Sequence, residues 1–381
     1  MELDFDTDQE DLRDSARAFL AAECPIALVR EVVEARIAGA PVDTGALHDH
    51  MVELGWPALA VPADADGLGL GAIEIALLAE ELGRALAPGP LFATITQYVP
   101  VVRALASPEQ AVALLTPIAH GEVSGTVAIA EITGATDPAA TTVVASRRGD
   151  GWELRGTKHT VFEPAPDGVA VVAARIEGTV GDDGMGAFVV PLAECRVEAV
   201  DVVDPSRVLA TVTLDGVAVD AAHTLRAPGP ETAAALRRAL ATATVALALD
   251  AVGAAQQLFD VSLDYVKHRE QFGVPVGSFQ AIKHKFADLL VLLERARALG
   301  YYAALTIAED DDEQSLAAAM AKAAAGDVAT QMAKEGIQVH GGIGYTWEAD
   351  VHLYVRRLQT DVVLFGTPEQ HRRQVAELIG V

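Results

Sequence analysis

Two stretches in the last third of this chain carry groups suited to gripping a phosphate-rich ligand. Residues 269–282, Arg269-Glu270-Gln271-Phe272-Gly273-Val274-Pro275-Val276-Gly277-Ser278-Phe279-Gln280-Ala281-Ile282, set a cation, aromatics and amides on a loop between two helical runs. Residues 338–348 carry Gln338-Val339-His340-Gly341-Gly342-Ile343-Gly344-Tyr345. A guanidinium can pair with an anion, and glycines let main-chain amides approach a phosphate closely, so a ligand role is open to both stretches. The plain alternative is solvated or helix-capping side chains. A third feature is Asp250, the only charge in residues 239–259. A buried carboxylate without a partner has its pKa raised, the condition a general base needs; the alternatives are a salt bridge or an exposed position.

Other chemistries lack a signature. There is no HExxH, GxSxG or P-loop sequence, and Gly67-Leu68-Gly69-Leu70-Gly71 has no preceding strand, so it reads as a turn before a helix. Only Cys24 and Cys195 occur, with no CxxC pair, which fits a reducing cytoplasm better than a disulfide framework. With 28 Lys+Arg against 54 Asp+Glu the net charge is -26, hostile to nucleic-acid binding. Residues 239–259 approach membrane-spanning length, but Asp250, Gln256 and Gln257 interrupt them, so a buried helix rather than a membrane segment is expected. The acidic N-terminus is unlike a secretory signal.

The elements that must position these groups follow from hydrophobic period. Residues 1–120 read as an all-α domain, with a capping box at Thr7 and Glu10 and a helix over 72–86. Residues 121–226 read as a small β-domain, with strands over 127–130, 141–146, 169–174, 187–191, 197–203 and 208–217. After Pro228-Gly229-Pro230 the helical period returns for residues 227–381, broken by an acidic turn at 309–313. The fold class is α+β, in the order helices, sheet, helices.

At this level the chain resembles the acyl-CoA dehydrogenase family over nearly its whole length. The carriers are Glu81-Leu82-Gly83-Arg84, the R-E-Q-F-G-x-P-x-G-x-F-Q-A loop at 269–281 and the Q-V-H-G-G-x-G-Y segment at 338–345. The resemblance implies a C-terminal four-helix bundle and FAD lying between subunits of a tetramer. It assigns Arg269, Phe272, Phe279 and Gln280 to a neighbour's flavin nucleotide, and Gln338, Gly341 and Gly342 to its diphosphate path. Thr367 and Glu369 match an adenine-side contact. In the β-domain, Ala130-Glu131-Ile132-Thr133-Gly134-Ala135-Thr136-Asp137 is similar to T-E-P-x-A-G-S-D, giving Ala130 and Thr136 flavin-facing positions. Lys158-His159-Thr160-Val161-Phe162-Glu163 stands where the family has K-x-W-I-T-N, so Thr160 replaces the ring-side aromatic and Phe162 the hydroxyl.

The reaction implied is α,β-dehydrogenation of an acyl-CoA to the 2-enoyl-CoA, as in fatty acid β-oxidation, with an electron-transferring flavoprotein as next acceptor. It needs a desolvated carboxylate and donors to the thioester oxygen together. The family's C-terminal Glu is replaced by Phe365, and the alternative position on the first bundle helix by Ala243. Asp250, two turns further along the same face, is therefore the expected base. The rival expectation is a subunit without a base in a heterotetramer with a paralogue, lending Arg269, Gln338 and Gly341 to a partner's flavin. His340 is expected to pack rather than catalyse, and Trp347 and Glu348 to join the core and cap a helix. Because CoA is anionic, a local basic patch is needed, near Arg237 and Arg238 or Arg356 and Arg357.

Overall fold

The computed structural model describes residues 5–131 and 137–381. Its first helix is capped one residue earlier than the sequence spacing suggested. Asp6 accepts the Gln9 N–H at 2.9 Å, and Gln9 reaches back to the Asp6 N–H at 3.2 Å. An aspartate cap satisfies an orphan amide and also opposes the helix dipole. The N-terminal domain comprises α1 (Thr7–Glu23), α2 (Ile26–Ile37), α3 (Gly45–Glu53), α4 (Ala72–Ala85), α5 (Leu91–Ala93), α6 (Val99–Leu105) and α7 (Pro108–Ala119). A π-helical turn, Thr94–Tyr98, joins α5 to α6. The glycine run before α4 is a packed turn: a Cβ on Gly67 would lie 1.9 Å from the Val61 carbonyl oxygen.

The middle domain holds β1 (Gly125–Ala128), β2 (Val144–Arg148), β3 (Gly151–Phe162), β4 (Val169–Ile176), β5 (Met185–Pro191), β6 (Arg196–Ala199), β7 (Leu209–Val219) and β8 (Thr224–Leu225). The strand order is β6-β7-β3-β2-β4-β5-β8, with β1 joining β4 in parallel. Strand period divides the burial on β4. Val171 and Ala173 face the helical core, while Ala170, Val172 and Ala174 face the sheet's own interior with Trp152 and Phe188. The longest strand, β3, was absent from the sequence expectation. Its first nine residues mix Trp152, Leu154 and buried Lys158 with Glu153, Arg155 and Gly156, so no β-branched run announces it.

The C-terminal domain is built on α8 (Pro230–His268), a helix of 39 residues and about 58 Å. A short hairpin, β9 (Glu270–Gln271) with β10 (Val274–Pro275), leads into α9 (Gln280–Ala308), α10 (Gln314–His340), α11 (Val351–Val363) and α12 (Pro368–Leu378). The apolar stretch 239–259 is the buried centre of α8, as expected. Two glycines let α4 and α8 touch backbone to backbone. A Cβ on Gly83 would lie 2.1 Å from the Asp250 carbonyl oxygen, and one on Gly253 would lie 1.9 Å from that of Glu80. The glycine of Glu81-Leu82-Gly83-Arg84 is thus needed for a helix crossing, and that crossing fixes Asp250 in depth.

Candidate functional site

The 269–282 stretch forms the hairpin β9–β10 and the start of α9, and its side chains leave the protomer. Phe272 and Gly273 both have positive φ, 55 and 80, the turn geometry that suits a two-residue hairpin. A phenylalanine in the left-handed region is strained, and here it is 94% exposed, with its ring edge-on to Phe279 at a centroid distance of 6.3 Å. Arg269 and Gln280 are exposed beside it, and Arg269 makes no ion pair among the described residues. A strained aromatic and an unpaired arginine presented outward fit a nucleotide held by a neighbouring subunit.

Gln338 is exposed near the end of α10, followed by Gly341 with φ 66; a Cβ on Gly341 or Gly342 would meet nothing within 4 Å. That open backbone is compatible with a diphosphate path. His340 does pack: it stacks on Tyr265 at 4.3 Å, and its Nδ1 lies 2.7 Å from the Gly336 carbonyl oxygen. Trp347 and Glu348, by contrast, are not core. Trp347 is 46% exposed under the Arg356 guanidinium, and Glu348 is exposed, because the cluster ends in a short surface turn rather than a helix start. Thr367 caps α12, accepting the Gln370 N–H, and Glu369 is exposed in its first turn, held below the usual carboxylate range by main-chain and Thr367 hydrogen bonds.

On the middle domain, the His159 N–H donates to the Ala130 carbonyl oxygen at 2.9 Å, bringing half-buried Ala130 beside exposed Thr160, which has φ 49. Thr136 lies outside the described residues. Phe162 does not join them: it is 2% exposed and packs on Phe92 at 5.5 Å. Behind this edge, Lys158 donates to Glu131 at 2.8 Å, to Thr141 and to the Ile129 carbonyl. Burial pushes Lys158 down to about 8, and for Glu131 hydrogen bonds from Lys158, Thr141 and Thr142 overcome burial to bring it to about 2. The pair stays ionised near neutrality and splints β3 to the strand ends that carry Ala130.

Asp250 lies in a closed ion-pair network rather than beside open space. Its Oδ1 accepts from Arg207 Nη2 at 2.6 Å and from Arg357 Nη1 at 3.3 Å, and the residue is 1% exposed. Arg207 also donates to Asp361 at 2.8 Å, with its guanidinium over the rings of Phe162 and Phe92 at 4.7 and 5.0 Å. Arg357 donates to Asp204 at 2.7 Å and to Ser206 at 2.7 Å. Burial would raise Asp204, but Arg357 and Arg207 hold it below its ordinary range. Burial carries Asp361 well above its ordinary range, opposed by Arg207 and reinforced by Asp250. Asp361 Oδ2 has no hydrogen-bond partner among the described residues. Of the alternatives the sequence left open for Asp250, the geometry is that of the salt bridge, with two partners. Arg207, Asp361 and Lys322 were missed, and Arg357 was expected in a basic patch for CoA rather than here; the one sequence signal was a lone lysine within the alanine-rich run of α10.

The network abuts the turn where the family's carboxylate would stand. Lys322 Nζ donates to the Asp361 carbonyl at 2.7 Å and to the Gly366 carbonyl at 3.1 Å. Phe365 sits in that turn with φ 55, and its carbonyl oxygen lies 2.9 Å from His371 Nε2. The expected basic patches are not available as such. Arg237 pairs with Asp137 and Asp182, Arg238 with Asp310, Arg357 is in the network, and Arg356 donates to the Val203 carbonyl. Acidic side chains outnumber basic ones nearly twofold, so most arginines find a carboxylate.

Comparison with known proteins accords with this layout. The family described as acyl-CoA dehydrogenase, C-terminal domain, matches residues 233–380, and the N-terminal domain of the same family matches residues 6–122. Acyl-CoA dehydrogenase IpdE2 of Mycobacterium tuberculosis is 30% identical over 85% of this chain and 83% of its own length. Acyl-CoA dehydrogenase FadE34 of the same organism is 35% identical over 80% of this chain but only 38% of its own length. The solved structure of a variant of the Tcur3481-Tcur3483 steroid ACAD superposes with a TM-score of 0.85 at 29% identity, covering 98% of each chain. Such relatives are oxidoreductases acting on the CH–CH group of acyl-CoA thioesters, and members of the family are FAD-dependent. In sequence, domain order and topology, this chain belongs to the acyl-CoA dehydrogenase family.

Proposed function

We propose that this chain is a subunit of a heteromeric, FAD-dependent acyl-CoA dehydrogenase, one that completes a partner's flavin site while the partner supplies the α-proton base. The observation that carries this reading is Asp250 locked between Arg207 and Arg357, with Phe365 at the family's carboxylate position. A base must meet the proton it removes within hydrogen-bonding distance. Both carboxylate oxygens of Asp250 already accept from buried guanidiniums, and abstraction by it would require breaking the network.

FAD, when bound, supplies the acceptor for the β-hydrogen and its electron pair. This chain's part is positional. Arg269 and the exposed Phe272 engage the nucleotide from across the subunit boundary, and the open amides at Gly341 and Gly342 receive its phosphates. Two relatives favour a pairing of unlike halves: one solved structure bears two chain names, and FadE34 has more than a chain's length beyond the matched part.

The test is to purify the chain alone and co-expressed with paralogues, and to record visible spectrum, mass and bleaching by CoA esters. A colourless or unstable lone chain that gains flavin and activity only with a paralogue is the expected result. A yellow homotetramer that an acyl-CoA bleaches would restore the homomeric reading, with a base of its own.

A further inference from the structure

A cavity of about 510 Å³ opens between the start of α4, α6, the first half of α8 and the turn from α9 to α10. None of the residues assigned above to flavin or to the Asp250 network lines it. Its wall reverses the charge of the protein. Arg103, Arg226 and Arg238 border it against one carboxylate, Asp310, in a chain of net charge -26.

These arginines are incompletely used. Arg103 donates to the Ala60 carbonyl at 2.9 Å and has no carboxylate partner among the described residues. Arg226 has φ 56, a strained conformation, and meets Glu231 only at 3.3 Å, with that carboxylate 84% exposed. Arg238 is the most firmly held of the three, donating to the Asp310 carboxylate at 2.6 Å and to the Asp310 carbonyl at 2.8 Å, though that carboxylate is 88% exposed. Deeper in, Thr242 is 7% exposed and lines the cavity. The remaining wall is apolar, including Ile75, Ala239 and Ile307.

We propose that this cavity is a second binding site, taking an anionic amphiphile: a carboxylate or phosphate head on Arg103, Arg226 and Arg238, and an apolar tail along Ile75 and Ala239. Guanidiniums bind both kinds of head through charge-assisted hydrogen bonds, and the volume suits a small ligand. The assignment is independent of where the catalytic base lies.

Calorimetric titration of the full-length protein in its purified oligomer tests it, with decanoate, decyl phosphate, decanol and inorganic phosphate as probes. One decanoate or decyl phosphate per chain is expected, about tenfold or more tighter than decanol or inorganic phosphate, and weaker as salt rises. The tighter of the two heads identifies the natural ligand's head. Arg103→Ser and Arg226→Ser should each weaken binding about tenfold with flavin absorbance and melting temperature unchanged. Absence of binding, equal affinity for decanol and decanoate, or affinity unchanged in both arginine variants would overturn the assignment. The comparison of probes on the unaltered protein holds even if a variant fails to fold.

Discussion

Replacing Asp250 separates a catalytic role from a structural one, because the network dictates how the cost must be distributed. In Asp250→Asn, Arg357 keeps Asp204 at 2.7 Å and Arg207 keeps Asp361 at 2.8 Å. Both arginines therefore keep a buried carboxylate when Asp250 becomes an amide. The single substitution should then cost about 2 kcal/mol, below the 3–5 kcal/mol typical of breaking a buried pair. Asp250→Ala adds a void and leaves arginine donors unmet, so about 4 kcal/mol is expected. In Asp250→Asn/Asp361→Asn, Arg207 has no carboxylate left, and the loss should exceed the sum of the singles by about 2 kcal/mol. The assays are chemical denaturation of the purified oligomer and turnover per bound flavin of the complex formed with its paralogue. Stability should fall in that order while turnover per flavin stays within about threefold, against the loss of about 10² that removal of a general base brings. Turnover falling a hundredfold at unchanged stability would refute the structural role and return Asp250 to the mechanism.

Three further outcomes follow from the same geometry. Glu163 is buried and its carboxyl is pushed up to about 7 from an ordinary 4.5 by burial, against the opposing charges of Arg36, Arg207 and Arg357. Between those two pH values the unfolded chain has released this proton and the folded chain has not, so stability falls as pH rises, by about 3 kcal/mol in all. Glu163→Gln should flatten that slope in denaturation curves taken from pH 4.5 to 7, and an unchanged slope would contradict the assignment. Gly253→Ala forces a Cβ against the Glu80 carbonyl where α4 crosses α8; a loss of about 3 kcal/mol in urea denaturation is expected, whereas a neutral effect would mean that the helices separate freely. Arg269→Ala should lower flavin retention on gel filtration about tenfold without altering secondary structure by circular dichroism, and full retention would remove the hairpin from the nucleotide site.

Much of the architecture was legible because it rests on local period and punctuation. The change from helical to strand period after residue 120, the Pro228-Gly229-Pro230 break and the apolar run of α8 each fix an element without reference to its neighbours. The break between helices that carries Arg269 and Phe272 was legible as a loop for the same reason, while its closing into a short hairpin was not. The strand β3 was not, because polar residues and glycines interrupt its apolar positions, among them Lys158, buried by its ion pair with Glu131.

The sequence by itself narrowed Asp250 to a functional carboxylate, a salt-bridged one or one on an exposed helix face: a single charge in an apolar helix admits little else. Only the tertiary structure decided between them. Its partners stand at positions 207 and 357, on a middle-domain loop and on α11, more than forty and a hundred residues away. No periodicity links such positions. The pairing exists because Gly83 and Gly253 let α4 and α8 close to backbone contact, and the middle domain docks Arg207 into the bundle against Phe92. Charge neutralisation in a buried site depends on distances of a few ångströms across separate elements, and those distances are set by packing.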